Sequence, residues 1–177
     1  MVSLRKIEVI FHKRGFKRDM NEIVQIEYDD SYPTSVETYS TFRIFSECLE
    51  PENVSDILQI KPTRSFKKGE RKSEINSKLQ YQTNGWFYST EGLCTSSDTR
   101  RHIDMILAIL EGKMESINTL HAKGCEMDIV SYWESKGQGG PLLMPLQMSK
   151  LGSYGIAVWW DVYFSFEYVK RRESAPK

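Results

Sequence analysis

TYSTFRIFSECLEPENVSDILQIKPTRSFKKGE, residues Thr38–Glu70, reads as a strand, a turn, a short helix and the start of a returning strand. Residues 38–45 alternate Thr38, Ser40, Phe42 and Ile44 against Tyr39, Thr41, Arg43 and Phe45, and period two in aromatic and β-branched residues predicts a strand. Pro51 suits the first turn of a helix, where its missing N–H has no partner to lose. Val54, Ile57 and Leu58, at i, i+3 and i+4, give that helix one apolar stripe. The residue before Pro62 is pushed out of the helical region, so the helix PENVSDILQ stops short of it. Thr63 to Lys67 then returns as an extended segment.

The flanking sequence supplies partners for this unit. Upstream, LRKIEVIFH (4–12) and EIVQIEY (22–28) predict a hairpin whose tip carries Lys13, Arg14, Lys17 and Arg18, with residues 29–33 as a linker. Downstream, the polar residues 69–84 read as a loop and GWFYST (85–90) as a strand. Ser96 and Ser97 offer an N-cap to a long helical region, 98–123. There Ile103, Leu107, Leu110, Met114, Ile117 and His121 repeat at alternating spacings of four and three, widened by Ile106 and Leu120. Glu111-Gly112-Lys113 interrupts the stripe and predicts two helices or a kink, and Gly124 a C-cap. EMDIVSYW (126–133) is a further strand, and PLLMPLQMSKL (141–151) a helix weakened by Pro145. IAVWWDVYFSFEYV (156–169) is the strongest strand, with Ile156, Val158, Trp160, Val162, Phe164, Phe166 and Tyr168 expected on the core face.

From Thr38 the order is β-α-β-β-α-β followed by α-β. The expected fold is α+β: a two-layer, ferredoxin-like antiparallel sheet with an additional C-terminal αβ unit and an N-terminal β-hairpin. The division is an extension (1–37), one domain (38–169) and a polar tail (170–177).

At 177 residues the chain suits one domain, able to bury roughly 70% of its unfolded surface without a disulfide or metal. Lys plus Arg equals Asp plus Glu, at 24 each, so no whole-molecule attraction to nucleic acid or an anionic membrane is expected. The widely spaced Cys48, Cys94 and Cys125 fit reduced thiols and form no CxxC or Cys/His cluster. The N-terminus alternates apolar and charged residues instead of running apolar like a signal peptide, and nothing approaches a membrane span. A cytoplasmic protein with no cofactor is expected.

The run FRIFSECLEPENVSDILQIKPTRSFKKGE, a downstream GW, a helical region ending near Gly124 and the terminal YGIAVWWDVYF together resemble the domain-of-unknown-function 4279 family. The resemblance covers about residues 38–164, and KPTRSFKKGE is its most specific phrase. It implies a bacterial, intracellular α+β domain. It supplies no reaction, so no catalytic residue is carried over.

Two surface features are candidates for interaction. The basic arm gathers Lys61, Arg64, Lys67, Lys68, Arg71 and Lys72, with Thr63, Ser65 and Gly69, and suits phosphate or an acidic surface; equally, lysines guard an edge strand. The odd face of the last strand places Trp159 and Tyr163 on an open sheet face, with Trp86 and Tyr88 beside them if in register. Cover by the chain itself, a dimer, another protein or a small ligand are the readings of that face. His102 and His121 are too far apart for an i, i+4 ligand pair, GxSxG is absent, and Glu111 and Glu115 pair with no base. The expected function is a non-catalytic intracellular protein-interaction module, not an enzyme, of which an immunity- or antitoxin-like protein is one form. The alternative is a sensor in which the arm holds an anionic small molecule or nucleotide and Trp86 or Trp159 stacks on its ring.

Overall fold

The computed structural model describes residues 27–72 and 79–165. The N-terminal hairpin, apart from its last two residues, and the polar tail lie outside them. The described elements are β1 (Ser35–Ser46), α1 (Pro51–Leu58), β2 (Arg64–Phe66), β3 (Asn84–Ser89), α2 (Thr99–Ile109), α3 (Met114–Ala122), β4 (Glu126–Ser135), α4 (Pro145–Tyr154) and β5 (Ala157–Phe164). They make a mixed α+β fold with an open sheet in the order β2-β3-β1-β4-β5. Every pairing is antiparallel except β4 with β5.

β1 lies at the centre, and its alternation sets the two faces. Ile44 stands between Trp86 and Met127, and Phe42 between Tyr88 and Ile129. These pack against Val54 and Leu58 of α1, Ile103, Ile106 and Leu107 of α2, Ile117 and Leu120 of α3 and Leu151 of α4. All four helices therefore share one face and one core, and Trp86 Nε1 donates to Ser55 Oγ (2.9 Å) to tie α1 to β3. Toward the other end of β1 the same face turns polar. Ser40 meets Ser131 (2.6 Å), Thr38 meets Thr99 (3.1 Å), and His102 Nδ1 meets Thr90 Oγ1 (2.7 Å), all buried. Each of these six side chains has a partner, which makes their burial tolerable, whereas the nearby Ser35 Oγ and Trp133 Nε1 are buried with no partner among the described residues.

Several local expectations are corrected. α1, by contrast, stops short of Pro62 as expected, capped by Gln59, which takes the left-handed φ of 54° and donates its N–H to Ser55 O. The N-cap of α2 is Asp98, whose carboxylate accepts from Arg100 N, while Ser96 Oγ accepts from Asp98 N. Pro145 begins α4 instead of weakening it, because a first-turn proline loses no hydrogen bond. Residues 69–72 and 79–81 are laddered, with Gly69 N donating to Tyr81 O (2.9 Å) and Lys72 N to Leu79 O (2.8 Å), not a plain loop. The break between α2 and α3 falls as expected, at Gly112 with φ 74°.

Residues 27–33 are clasped onto α2 and do not act as a linker. Arg100, ion-paired with Asp98, donates to Glu27 O (2.7 Å), and Asp29 N donates to Asp98 Oδ2 (2.8 Å). Tyr28 OH donates to Asp104 (2.6 Å), and Arg101 lies over the Tyr28 ring and pairs with Asp30. Burial together with the Asp104 carboxylate pushes the Tyr28 phenol up to about 12. Burial alone raises the Asp98 carboxyl, but the Arg100 guanidinium and two backbone N–H groups outweigh it and hold the group below the usual range.

The largest correction concerns β5. Among the described residues it is an edge strand. Ile156 is buried and Val158 packs on the core, yet Trp160 is 38% exposed and Val162 46%. Alternation identifies which face a residue takes, not how far the helix layer reaches, and here the layer stops before the outer half of β5.

Candidate functional site

Antiparallel pairing puts directly opposed residues on one face, so the register assigns the uncovered face by residue. It comprises Arg64 and Phe66 of β2, Phe87 of β3, Tyr39, Arg43 and Phe45 of β1, Asp128 and Tyr132 of β4, and Trp159, Asp161 and Tyr163 of β5. Trp86 and Tyr88 are opposite Ile44 and Phe42 and so take the covered face, where Trp86 is 1% exposed. They do not join Trp159 and Tyr163, which stand on the open face, 61% and 50% exposed.

The open face has two aromatic ends with an ion pair between them. On one side Tyr81 stacks on Phe66 at 3.5 Å, Phe66 meets Phe87 at 5.3 Å and Phe87 meets Phe45 at 5.4 Å. Phe66 lies over Gly85, where a Cβ would fall 2.3 Å from the ring, so only glycine fits. In the middle Arg43 grips Asp128 through two bonds of 2.7 Å and lies beside the Phe45 ring. On the other side Tyr39 stacks on Tyr132 at 4.9 Å, and Tyr132 meets Tyr163 at 5.3 Å.

That tyrosine end is acidic. Burial, followed by the Glu91, Glu37 and Asp161 carboxylates, raises the Tyr39 phenol, and burial with Glu134 raises Tyr132. A hydrogen bond to Asp161 (3.2 Å) raises Tyr163. All three therefore keep their protons at neutral pH. Among the described residues no Lys, Arg or His pairs with Glu37, Glu91, Glu134 or Asp161. Four uncompensated carboxylates thus border a strip of ring faces, an arrangement that favours cations.

In the basic arm two of the six cations, Lys67 and Lys68, are paired with carboxylates. Lys67 bridges Glu50 (2.9 Å) and Glu52 (3.2 Å), and hydrogen bonds to them raise its pKa. Lys68 reaches Glu47 (3.1 Å), Arg64 donates to Tyr81 OH (2.8 Å), and Lys61 is exposed just before β2. The arm and Trp159 occupy opposite edges of the sheet, four strand spacings or about 19 Å apart. With Trp86 in the core, the arm and either tryptophan cannot hold one small anionic ligand between them.

Elsewhere the ionisable groups are engaged structurally. His102 is buried, and because Ser96 O can only accept, Nε2 carries the proton (2.9 Å) and burial holds the imidazole below its usual range. His121, at the end of the apolar stripe, is exposed and donates through Nε2 to Tyr154 O (2.9 Å). Burial pushes the Cys125 thiol up, and Cys48 is exposed. A cleft of about 670 Å³ beside Tyr28 and Cys94 has Asp30 and Arg101 committed to each other. Among the described residues no group of three His, Cys, Asp or Glu is placed to hold a metal ion, and no helix is long and apolar enough to cross a membrane.

These features define a mixed α+β domain whose aromatic sheet face carries no helix among the described residues. Residues 36–165 match the model of DUF4279, a domain of unknown function, and the chain belongs to that family. No curated protein and no solved structure matches it. The open-face partners Tyr39, Arg43, Phe45, Asp128 and Tyr132 were not singled out from sequence, although their odd or even positions in two alternating strands carried the signal.

Proposed function

We propose that this chain is a non-catalytic protein-interaction module that docks its partner on the open sheet face, at the acidic tyrosine end. The observation that carries the proposal is the Tyr39–Tyr132–Tyr163 strip bordered by Glu37, Glu91, Glu134 and Asp161, which have no cationic partner among the described residues. Its chemistry suits a protein segment that presents Lys or Arg next to apolar groups: cations take the ring faces and carboxylates, and the apolar groups take Trp159. Rigid tyrosines give contact area at small entropic cost. The three unpaired cysteines support a reducing, intracellular setting. Neutralising a basic partner, as an immunity- or antitoxin-like protein would, is one concrete form.

The strand order β2-β3-β1-β4 with uniformly antiparallel pairing supports a ferredoxin-like reading of β1 through β4, with α4 and β5 appended. The functional test is charge reversal: Glu37→Lys with Glu134→Lys abolishes recovery of a stoichiometric partner and leaves the unfolding midpoint unchanged. Undiminished recovery refutes the assignment.

A further inference from the structure

We infer that β5 is a self-pairing edge: two copies of this chain join antiparallel along it, so that two five-stranded sheets become one. The two edges of the sheet are built differently. At one, β2 is three residues long with Lys67 and Lys68 just beyond it, the usual protection of a strand that must not pair. At the other, β5 is eight residues of AVWWDVYF, without proline, glycine, lysine or bulge, and with Asp161 its sole charge. Proteins rarely leave such an edge bare.

The hydrogen-bond direction shows which groups it presents. Ser165 N donates to Ser135 O at 2.8 Å, so the odd-numbered residues of β5 turn their N–H and C=O toward β4. By alternation Val158, Trp160 and Val162 turn theirs outward. Two such edges meet as antiparallel strands when outward residues oppose outward residues. Four centres, Trp159 to Val162, are then available, and centring on Trp159 or Val162 pairs fewer residues. Centring on Asp161 sets it against its own copy at the close, non-hydrogen-bonded spacing, which like charges disfavour. Centring on Trp160 sets Asp161 against Trp159 of the other copy, pairs Val158 with Val162 and Trp160 with itself, and uses more of the strand than centring on Val162. The strand is thus self-complementary in length, charge and apolar character in one register.

Trp159, Trp160, Val162 and Tyr163 are each 38–61% exposed. Edge pairing covers the strand backbone and the flanks of these side chains in both copies and leaves the outward ring faces of Trp159 and Tyr163 open. The two-fold axis stands perpendicular to the sheet. Both open faces therefore point the same way, and the dimer presents two tyrosine strips side by side. The pairing stands whatever docks on those strips.

The test is the mass of the full chain in solution by light scattering from 1 to 100 µM, beside Val162→Pro. Val162 N–H faces the free edge, so proline there removes no bond to β4 but blocks the approach of a second copy. The expected result is twice the chain mass for the wild type and about a 100-fold weaker dimer for Val162→Pro, the scale of two lost backbone bonds with a clash, with unchanged circular dichroism. Trp160→Cys in a Cys48→Ser background is expected to form a disulfide across the axis, since directly opposed residues place their Cα atoms about 5.5 Å apart. A monomeric wild type, as when residues outside the described ones cover the edge, overturns the inference. So does a dimer that Val162→Pro leaves intact.

Discussion

Tyr39 and Tyr132 are directly opposed on β1 and β4, and their rings stack with centroids 4.9 Å apart and planes 12° from parallel. On a face without helices this pair holds a flat tyrosine surface in place before any partner arrives. A double-mutant cycle of Tyr39→Ala and Tyr132→Ala, read by urea unfolding, is expected to give a coupling of about 0.5–1.5 kcal/mol. Additive losses would mean that the stack is incidental.

Gly85 lies beneath Phe66, itself pinned by the Tyr81 ring at 3.5 Å. The ring has little room to retreat from a methyl group. Gly85→Ala is expected to cost about 1–3 kcal/mol, and Phe66→Ala in the same chain to recover much of that loss. Equal penalties in both backgrounds would place the strain at the Phe87 ring, which lies 2.7 Å from the same Cβ position, and not at Phe66.

The two tryptophans once grouped as surface candidates separate cleanly. Trp86 is buried beneath α1 and hydrogen-bonded to Ser55, so Trp86→Ala is expected to cost about 3–5 kcal/mol. Trp159 is 61% exposed, so Trp159→Ala should change stability by about 0.5 kcal/mol or less. Denaturant midpoints for the two variants check both values.

Burial holds the His102 imidazole below the usual histidine range. Near pH 6.5 the unfolded chain therefore binds more protons than the folded one. Its contribution to stability is full above the unfolded pKa and is lost as pH falls through about 6.5 toward the folded value. Unfolding free energies between pH 5 and 8 should decline on acidification, and His102→Gln should flatten the curve. An unchanged slope in that variant assigns the decline to other groups.

Most of the element order was legible because period-two alternation in 38–45 and 126–133 and the apolar stripe of 103–120 are local signals. What stayed hidden was lateral placement. The alternation of 156–164 is as strong as that of any core strand, yet only the neighbours of a strand decide whether its apolar face is covered. The same holds for Trp86. Its face depends on its register against Ile44, which no pattern within 85–90 encodes. The basic arm looked conspicuous because its acidic partners Glu47, Glu50 and Glu52 precede it across the whole of α1. The tyrosine strip combines residues from β1, β4 and β5 and exists only in the assembled sheet.

The most direct measurement is the stoichiometry of the protein recovered with the full chain from its native cells, compared between wild type and Glu37→Lys/Glu134→Lys. Docking on the acidic tyrosine end predicts one basic partner in stoichiometric amount with the wild type, released by salt and absent from the variant. A partner held equally by both, or no stoichiometric partner with either, contradicts it.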